Sequence, residues 1–135
     1  MAETFRSLRT NLLFILGDPD KKVILITSTM SGEGKTFIAS NLAVSLALLG
    51  KKVIIVGLDI RKPGLNKVFH ISHKEYGITQ YLSAPQSTDL RSMIQPSGIS
   101  PNLSVLPGGI IPPNPTELLA RQSLEDAVEI LKQDY

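Results

Sequence analysis

The sequence predicts an α/β fold, in which helices flank a parallel sheet, and three observations predict it. Two short runs rich in β-branched residues, 23–26 and 53–56, have the composition of strands buried on both faces of such a sheet. The segment between them, 37–49, is apolar nearly all round and ends at Gly50, as a crossover helix does. A glycine-rich loop, 28–36, joins the first run to this helix. Strand, glycine loop, helix and strand therefore follow one another in 23–56.

Length and composition bound the class of protein. At 135 residues the chain is expected to form a single domain, and its 42% hydrophobic and 19% charged residues favour a packed core over disorder. Fourteen Lys+Arg against twelve Asp+Glu leave a net charge of +2, which does not favour nucleic-acid binding. The chain has no cysteine, which excludes disulfides, thiolate metal sites and a cysteine nucleophile. With no export signal and no apolar stretch near the ~20 residues of a membrane span, a cytoplasmic location is expected.

The first element is an amphipathic helix, predicted over 2–16. Apolar side chains recur there at the spacing that gathers them on one face of a helix: Phe5, Leu8, Leu12, Ile15 and Leu16. A turn follows, because Gly17 caps helices and Pro19 cannot continue one. The strand, loop, helix and strand of 23–56 come next.

After the second strand the periodicity weakens, and a surface-rich crossover is expected from 59 to 101. It is expected to contain three short helical pieces, at 64–69, 77–83 and 88–94. A third strand is predicted at 103–106, before a connection rich in proline. The last helix begins with a capping-box arrangement, with Asn114 as N-cap, Pro115 as the first helical residue and Glu117 as the third. Its buried stripe is expected to comprise Ala120, Leu124, Ala127, Val128 and Leu131.

The loop 28–36 carries the chemistry, since it stands between a predicted strand and a predicted helix, as a phosphate-binding P-loop does. Gly32 and Gly34 let successive backbone N–H groups point at phosphate oxygens, and the helix N-terminus adds its positive dipole end. Lys35 is expected to contact the β- and γ-phosphates, and the Thr36 hydroxyl to ligate Mg²⁺. The predicted nucleotide-binding residues are Ser31, Gly32, Glu33, Gly34, Lys35, Thr36 and Phe37. The fold class is thus a P-loop NTPase with a Rossmann-like parallel sheet.

Two residues of the loop leave alternatives open. Thr29 stands where the usual pattern begins with glycine, so a chance glycine-rich turn is the competing interpretation. Glu33 is more typical of a loop residue that faces solvent than of a catalytic base.

Asp59 follows the second predicted strand. In an open α/β sheet ligands bind outside the carboxyl ends of the strands, which brings Asp59 near the P-loop. A carboxylate there can hold Mg²⁺ or accept a proton from an attacking hydroxyl. The alternative is a turn or helix-cap residue, which is a common role for aspartate after a strand.

Four segments together resemble the cytoplasmic domain of bacterial tyrosine kinases, the family linked to capsule and exopolysaccharide synthesis and related to the chromosome-partitioning and septum-placement ATPases. ETFRSLR at 3–9 resembles the family's E-x-x-R-x-x-R helix, and STMSGEGKT at 28–36 resembles its Walker A motif. IIVGLDIRKP at 54–63 resembles its Walker A′ motif. LPGG followed by NPTELL, within 106–119, resembles the segment ahead of its last nucleotide motif.

The resemblance implies ATP or ADP with Mg²⁺ as cofactors and a set of site residues. Lys35, Asp59 and Arg61 are the implied catalytic residues: Lys35 on the phosphates, Asp59 on the metal or on the tyrosine proton, and Arg61 positioning phosphate. Thr36 and Asp59 are the implied metal ligands. The implied function is the ATP-binding part of a protein-tyrosine autokinase that regulates capsular or exopolysaccharide synthesis and export, at the cytoplasmic face of the inner membrane.

The resemblance also implies protein partners. Glu3, Arg6 and Arg9 are the implied subunit contacts of a homo-oligomeric ring, in which one subunit's tyrosine-rich tail reaches a neighbour's active site. A solvated face with an i,i+3 charge pair is the alternative for these three residues. The basic residues of 60–74 are expected either to be solvated or to contact an acidic partner such as the membrane adaptor, the polysaccharide co-polymerase segment. His70 and His73 lack a third ligand nearby, so a metal site there is not expected.

One residue distinguishes the chain from the partitioning ATPases, and two features depart from the pattern of the kinase family. Met30 replaces the signature lysine of the partitioning ATPases, which favours the kinase branch. Gly57 stands where Walker A′ usually carries a second acidic residue. The Walker B motif that follows the last helix in the family is absent, so the chain is expected to be a domain incomplete at its C-terminus and inactive by itself. Exposed apolar surface is then expected along 23–26, covered by self-association or left poorly ordered.

Two other functions remain open. One is an ATPase switch of the partitioning type, which hydrolyses ATP with water. The other is a non-catalytic nucleotide-binding oligomerisation module, which Gly57 and the absent Walker B motif favour.

Overall fold

The computed structural model describes residues 2–15, 17, 22–26, 33–58, 65–69, 71, 76–110 and 112–135. The helices among these residues are α1 (Ala2–Ile15), α2 (Glu33–Leu48), α3 (Leu65–Val68), α4 (Ile78–Ser83), α5 (Pro115–Leu119) and α6 (Gln122–Asp134). The strands are β1 (Val53–Val56), β2 (Gln95–Pro96) and β3 (Leu103–Leu106), and a 3-10 turn spans Leu90–Met93. No helix in these ranges is long and apolar enough to cross a membrane.

The described strands form one sheet in the order β1-β3-β2. β1 and β3 are parallel, with Val53 opposite Leu103 and Val56 opposite Leu106. β2 pairs antiparallel with the other edge of β3. The outer edge of β1 carries no further strand in the described part of the chain. β3 is therefore the central strand.

Helices cover both faces of this sheet. Alternate side chains of β3 point to opposite faces, and Leu103 and Val105 pack with Ala43 and Ala47 of α2. Leu106 packs on the opposite face. The residues that surround it there come from α4, the 3-10 turn, α5 and α6: Ile78, Tyr81, Leu82, Leu90, Met93, Leu118, Ala127 and Leu131. This two-sided arrangement confirms the predicted α/β class with flanking helices.

The direction of α2 decides which end of the sheet carries the P-loop residues. Asn102, just before β3, donates its side-chain N–H to the carbonyl oxygen of Ala47 at 3.4 Å. The N–H of Val53, the first residue of β1, donates to the carbonyl oxygen of Asn102 at 2.8 Å. The C-terminal end of α2 thus lies beside the starts of both strands. Because the 16-residue helix is ~24 Å long and a four-residue strand only ~13 Å, its N-terminus lies beyond their carboxyl ends.

The sequence predicted most of these elements correctly. The helices over 2–16 and 37–49 and the strands over 53–56 and 103–106 are confirmed, although α2 begins four residues early, at Glu33. The structure also has α3, α4 and the 3-10 turn within the three pieces expected in the crossover. The two-residue β2 was not predicted, because two residues carry no periodic pattern.

The strand predicted over 23–26 is wrong, because these residues are described without strand structure. Val23 is 57% exposed and Leu25 is 79% exposed, which confirms the exposed apolar surface expected there. The preceding residue, Lys22, donates from its ammonium group to the carbonyl oxygen of Lys132 in α6, at 3.3 Å. An extended segment becomes a strand only when a neighbouring strand takes up its backbone hydrogen bonds, and no described strand pairs with this one.

The single C-terminal helix predicted from 114 onward is also wrong, because it is two helices. The N–H of Ala120 donates to the carbonyl oxygens of Thr116 and Glu117, which ends α5 in a tight turn. The extended residue Arg121 then forms the N-cap of α6. Ala120 is consequently exposed instead of joining the buried stripe. The predicted capping box is absent as well, since Asn114 makes no side-chain cap.

Asn114 instead donates its amide N–H to the carboxylate of Glu117 at 3.2 Å. This hydrogen bond and the Arg121 guanidinium lower the pKa of Glu117. The rest of the predicted stripe is confirmed: Ala127 and Leu131 are buried, and Leu124 and Val128 are half-buried.

Candidate nucleotide-binding site

The first turn of α2 holds the predicted P-loop residues that the structure describes. Gly34, Lys35 and Thr36 follow the first helical residue, so they lie in the first turn of α2, at the positive end of the helix dipole. The Lys35 and Thr36 side chains are half-buried, whereas Gly34 is exposed. Apart from its chain neighbours and the backbone of α2, no atom of the described residues lies within 4 Å of the position that a Gly34 Cβ would take. The positive end of a helix dipole, a lysine side chain and open space beside a glycine therefore come together in this first turn, an arrangement that suits a phosphate.

Phe37 and Ile38 come next on α2 and keep part of their surface in solvent. Each side chain is 44% exposed. The carbonyl oxygen of Phe37 accepts a hydrogen bond from the Asn41 side chain at 2.8 Å, which ties the third turn of the helix to the second.

Several predicted site residues lie outside the described part of the chain. They are Ser31, Gly32, Asp59 and Arg61, and the side chain of Glu33 belongs with them. Among the described residues no three His, Cys, Asp or Glu side chains are grouped to hold a metal ion. Of the two predicted magnesium ligands, only the Thr36 hydroxyl is therefore located, in the first turn of α2.

Gly57 lies at the carboxyl end of β1 in a crowded position. Its N–H donates to the carbonyl oxygen of Leu106 at 2.9 Å, which continues the pairing of β1 with β3. A Cβ at this residue would lie 3.1 Å from Cδ1 of Leu65 and 3.2 Å from the backbone nitrogen of Gly108. The Leu65 side chain and the loop after β3 thus pack closely around the position at which the family pattern has an acidic side chain. The sequence identified the missing carboxylate but not this crowding.

Sequence reasoning missed the role of Gly77 and Gly109, which join α4 to the loop after β3. The N–H groups of Ile78 and Thr79 donate to the carbonyl oxygens of Pro107 and Gly108, at 2.9 and 3.0 Å. A Cβ on Gly77 would collide with backbone atoms of Pro107, Gly108 and Gly109. Gly109 has a φ of +88°, in the left-handed region that favours glycine. The pair Gly108–Gly109, one residue after the end of β3, was the signal that could have indicated this close contact.

The predicted oligomer residues lie on α1, which packs against α2. Arg9 is half-buried and donates from its guanidinium to the carbonyl oxygen of Ser45 in α2, at 3.3 Å. Its Nε is buried and has no hydrogen-bond partner among the described residues. Arg6 is exposed, and the side chain of Glu3 lies outside the described set. Arg9 thus serves the packing of two helices within the chain, whereas Arg6 faces solvent.

Charged contacts away from this site hold the C-terminal helix in place. The Arg91 guanidinium lies 2.8 Å from the carboxylate of Asp134 and also donates to the Gln133 side chain. The hydrogen bond and the charge of Asp134 raise the pKa of Arg91. These contacts tie the 3-10 turn to the end of α6, and both partners are largely exposed.

Comparison with known proteins decides the family. The family model described as the CobQ/CobB/MinD/ParA nucleotide binding domain matches residues 24–133. The chain belongs to this family. The domain is therefore a nucleotide-binding domain, and the predicted P-loop NTPase fold is confirmed.

Similar members of the family are named tyrosine kinases. The tyrosine-protein kinase YwqD of Bacillus subtilis is 38% identical over 125 residues, covering 93% of this chain and 51% of the relative. The tyrosine-protein kinase CpsD of Streptococcus agalactiae is 35% identical over 133 residues, covering 98% of this chain and 56% of the relative. The chain spans about half the length of the curated relatives it matches.

A solved structure agrees with the fold over almost the whole chain. The kinase domain of the Escherichia coli tyrosine kinase ETK superposes with a TM-score of 0.90 at 32% identity, covering 99% of this chain and 51% of that one. The bacterial tyrosine-kinase resemblance drawn from the four sequence segments is thereby confirmed.

Proposed function

We propose that this chain is the ATP-binding part of a bacterial protein-tyrosine kinase that transfers the γ-phosphoryl group of ATP to a tyrosine hydroxyl. One observation carries the proposal. Lys35 and Thr36 lie in the first turn of α2, at the carboxyl edge of the parallel sheet, in a chain whose curated relatives are named tyrosine-protein kinases. This is the edge at which open α/β sheets bind their ligands.

The P-loop residues bind the phosphates. Backbone N–H groups of 31–36 point at phosphate oxygens, and the Lys35 ammonium neutralises the β- and γ-phosphates. The open space at Gly34 supports this role, because a phosphate can approach the backbone without meeting a side chain. Phe37 offers its exposed ring to the nucleotide. Ser31, Gly32 and Glu33 complete the loop.

Mg²⁺ fits the donor set proposed beside the phosphates, since the Thr36 hydroxyl and the Asp59 carboxylate are both oxygen ligands. When bound, the ion neutralises the charge that develops on the transferred phosphoryl group. Asp59 also accepts the proton of the attacking tyrosine hydroxyl, and Arg61 positions the phosphate. Catalysis in this proposal consists mainly of positioning and electrostatic stabilisation, as is general for phosphoryl transfer.

Nucleotide titration of Lys35→Met tests the binding step. A charge-assisted hydrogen bond contributes about 1.5–3 kcal/mol, so the variant should bind ATP and ADP about tenfold to a hundredfold more weakly. Lys51→Met is the matched control, because Lys51 is exposed and lies just after α2, at the opposite end of the helix. Equal affinities of the Lys35→Met variant and the unaltered chain would rule out this site.

Radiolabelled ATP tests the transfer step and separates the alternatives. A tyrosine kinase places label on tyrosine, whereas an ATPase switch of the partitioning type, which the family name also allows, releases it only as free phosphate. Met30 in place of the partitioning ATPases' signature lysine argues against the switch. A non-catalytic nucleotide-binding oligomerisation module would do neither, and Gly57 favours this candidate, because it supplies no second carboxylate and its surroundings are crowded.

The proposal extends to assembly and location. The protein acts as a homo-oligomeric ring through the N-terminal helix with Glu3, Arg6 and Arg9, and a neighbour's tyrosine-rich tail reaches each active site. It works at the cytoplasmic face of the inner membrane with a membrane adaptor, the polysaccharide co-polymerase segment, and regulates capsular or exopolysaccharide synthesis and export. Exposed Arg6 supports the ring contact, and a relative described as a putative tyrosine-protein kinase in the cps region of Klebsiella pneumoniae supports the pathway.

A further inference from the structure

The three tyrosines of the chain differ sharply in exposure. Tyr81 is only 6% exposed and packs in the core between α4 and α6. Tyr135 is half-buried against the same core, and its N–H donates to the carbonyl oxygen of Leu131. Tyr76 is 54% exposed. Of the three, Tyr76 is the one with more than half of its surface in solvent.

Tyr76 also lies at the same edge of the sheet as the candidate phosphate site. Its neighbour Gly77 packs directly on residues 107–109, which follow the carboxyl end of β3. Gly57, at the carboxyl end of β1, approaches the same loop through Gly108. The first turn of α2, with Lys35 and Thr36, lies beyond these two strand ends on the other face of the sheet.

We propose that Tyr76 is a phosphoryl acceptor in this protein's own kinase reaction, an inference that rests on the proposed function. The Tyr76 hydroxyl oxygen forms a bond to the γ-phosphorus of ATP while the bond from that phosphorus to the β–γ bridging oxygen breaks. ADP leaves with the bonding electron pair, and the phenolic proton passes to the Asp59 carboxylate or to water. The product is ADP and a phosphotyrosine at position 76.

Peptide mapping of the protein, expressed from its complete reading frame and incubated with ATP and Mg²⁺, tests the proposal. Trypsin cleaves after Lys74 and Arg91, so Tyr76 and Tyr81 fall in one peptide, and fragment ions from between them separate the two positions. We expect phosphate on Tyr76 and none on Tyr81. Tyr76→Phe should lose the modification of this peptide, and the matched control Tyr135→Phe should keep it. Circular dichroism of Tyr76→Phe checks that the variant is folded.

The possible results distinguish a failure of the acceptor inference from a failure of the proposed function. If phosphotyrosine forms elsewhere in the protein while the peptide 75–91 stays unmodified or carries its phosphate on Tyr81, the acceptor inference is wrong and the proposed function stands. If no phosphotyrosine forms on any residue, the proposed function fails and the inference fails with it. If Lys35→Met carries as much phosphate on Tyr76 as the unaltered protein, another kinase made it, and self-phosphorylation at this residue is excluded.

Discussion

At the scale of single residues, the absence of a side chain at three glycines shapes the candidate site and its surroundings. Gly57 and Gly77 approach the same loop after β3, and each leaves less room than a Cβ needs. Gly34 is the opposite case, because open space surrounds it. The same residue type thus marks close packing of backbone at two positions and access for a ligand at the third.

Gly57→Ala and Gly57→Asp should both lower the free energy of unfolding. The added Cβ presses on Leu65 and on the backbone at Gly108, and overpacking of this kind costs about 1–3 kcal/mol. Denaturant unfolding measures the loss, and the alanine variant separates the effect of volume from that of charge. An alanine variant as stable as the original chain, together with an aspartate variant that strengthens Mg²⁺-dependent nucleotide binding, would contradict the crowding argument.

Gly77→Ala should be more damaging than either change at Gly57. Its Cβ would meet backbone atoms of residues 107–109, which cannot rotate away as the Leu65 side chain can, so a loss of about 3 kcal/mol or more is expected. Gly34→Ala is the control, since no atom lies near its Cβ position and alanine favours a helix. Thermal unfolding that ranks the two variants in the reverse order would show that α4 does not depend on this contact.

At the scale of secondary-structure elements, the helices were predicted better than the strands. The reason is that helices and strands satisfy their backbone hydrogen bonds differently. A helix satisfies its backbone hydrogen bonds within one segment, so the local patterns over 2–16 and 37–49 were sufficient. A strand needs a partner, and the equally apolar runs 23–26 and 53–56 differ in having one. The break between α5 and α6 likewise follows from packing, because Leu118 and Ala127 are both buried in the same core.

Substitutions of the two described arginines of α1 should have different effects on stability and assembly. Arg9 bonds to the carbonyl oxygen of Ser45, so Arg9→Glu should lower the melting temperature of the chain. Arg6 is exposed, so Arg6→Glu should leave stability unchanged and weaken only the proposed ring contact. Thermal melts and sedimentation velocity on the same samples give the two readouts. If Arg6→Glu left assembly unchanged, α1 would be a solvated helix at that position.

At the scale of the whole molecule, the described part is a two-sided α/β layer with an apolar segment left in solvent. Val23, Ile24 and Leu25 are all exposed, although their composition is that of a buried strand. The chain also spans about half the length of its curated relatives. An exposed apolar patch of this kind favours association.

The 135-residue chain should therefore self-associate as its concentration rises. Replacing Val23 and Leu25 together by lysine should reduce the association without lowering stability, since both side chains are exposed. Ile99→Lys is the control, because Ile99 is 56% exposed in the loop before β3, away from this segment. Light scattering coupled to gel filtration measures the mass. A chain that stays monomeric at high concentration, or that responds equally to the Ile99 variant, would contradict this explanation.

Much of the candidate site could be predicted from local sequence. The glycines, Lys35 and Thr36 between an apolar run and a helix indicated a phosphate-binding loop, and the structure has Gly34, Lys35 and Thr36 in the first turn of α2. Asp59, Arg61, Ser31 and Gly32 lie outside the described residues, so their roles stay predictions.

The sequence by itself determined the α/β class, the positions of α1, α2, β1 and β3, and the family, because these depend on short periodic patterns and on the order of motifs along the chain. Only the tertiary structure decided the strand order, the failure of 23–26 to pair, and the close packing at Gly57 and Gly77. The tertiary structure also decided that Tyr76 is exposed whereas Tyr81 is buried. Each of these depends on atoms far apart in the chain, and local patterns carry no information about which distant segments come into contact.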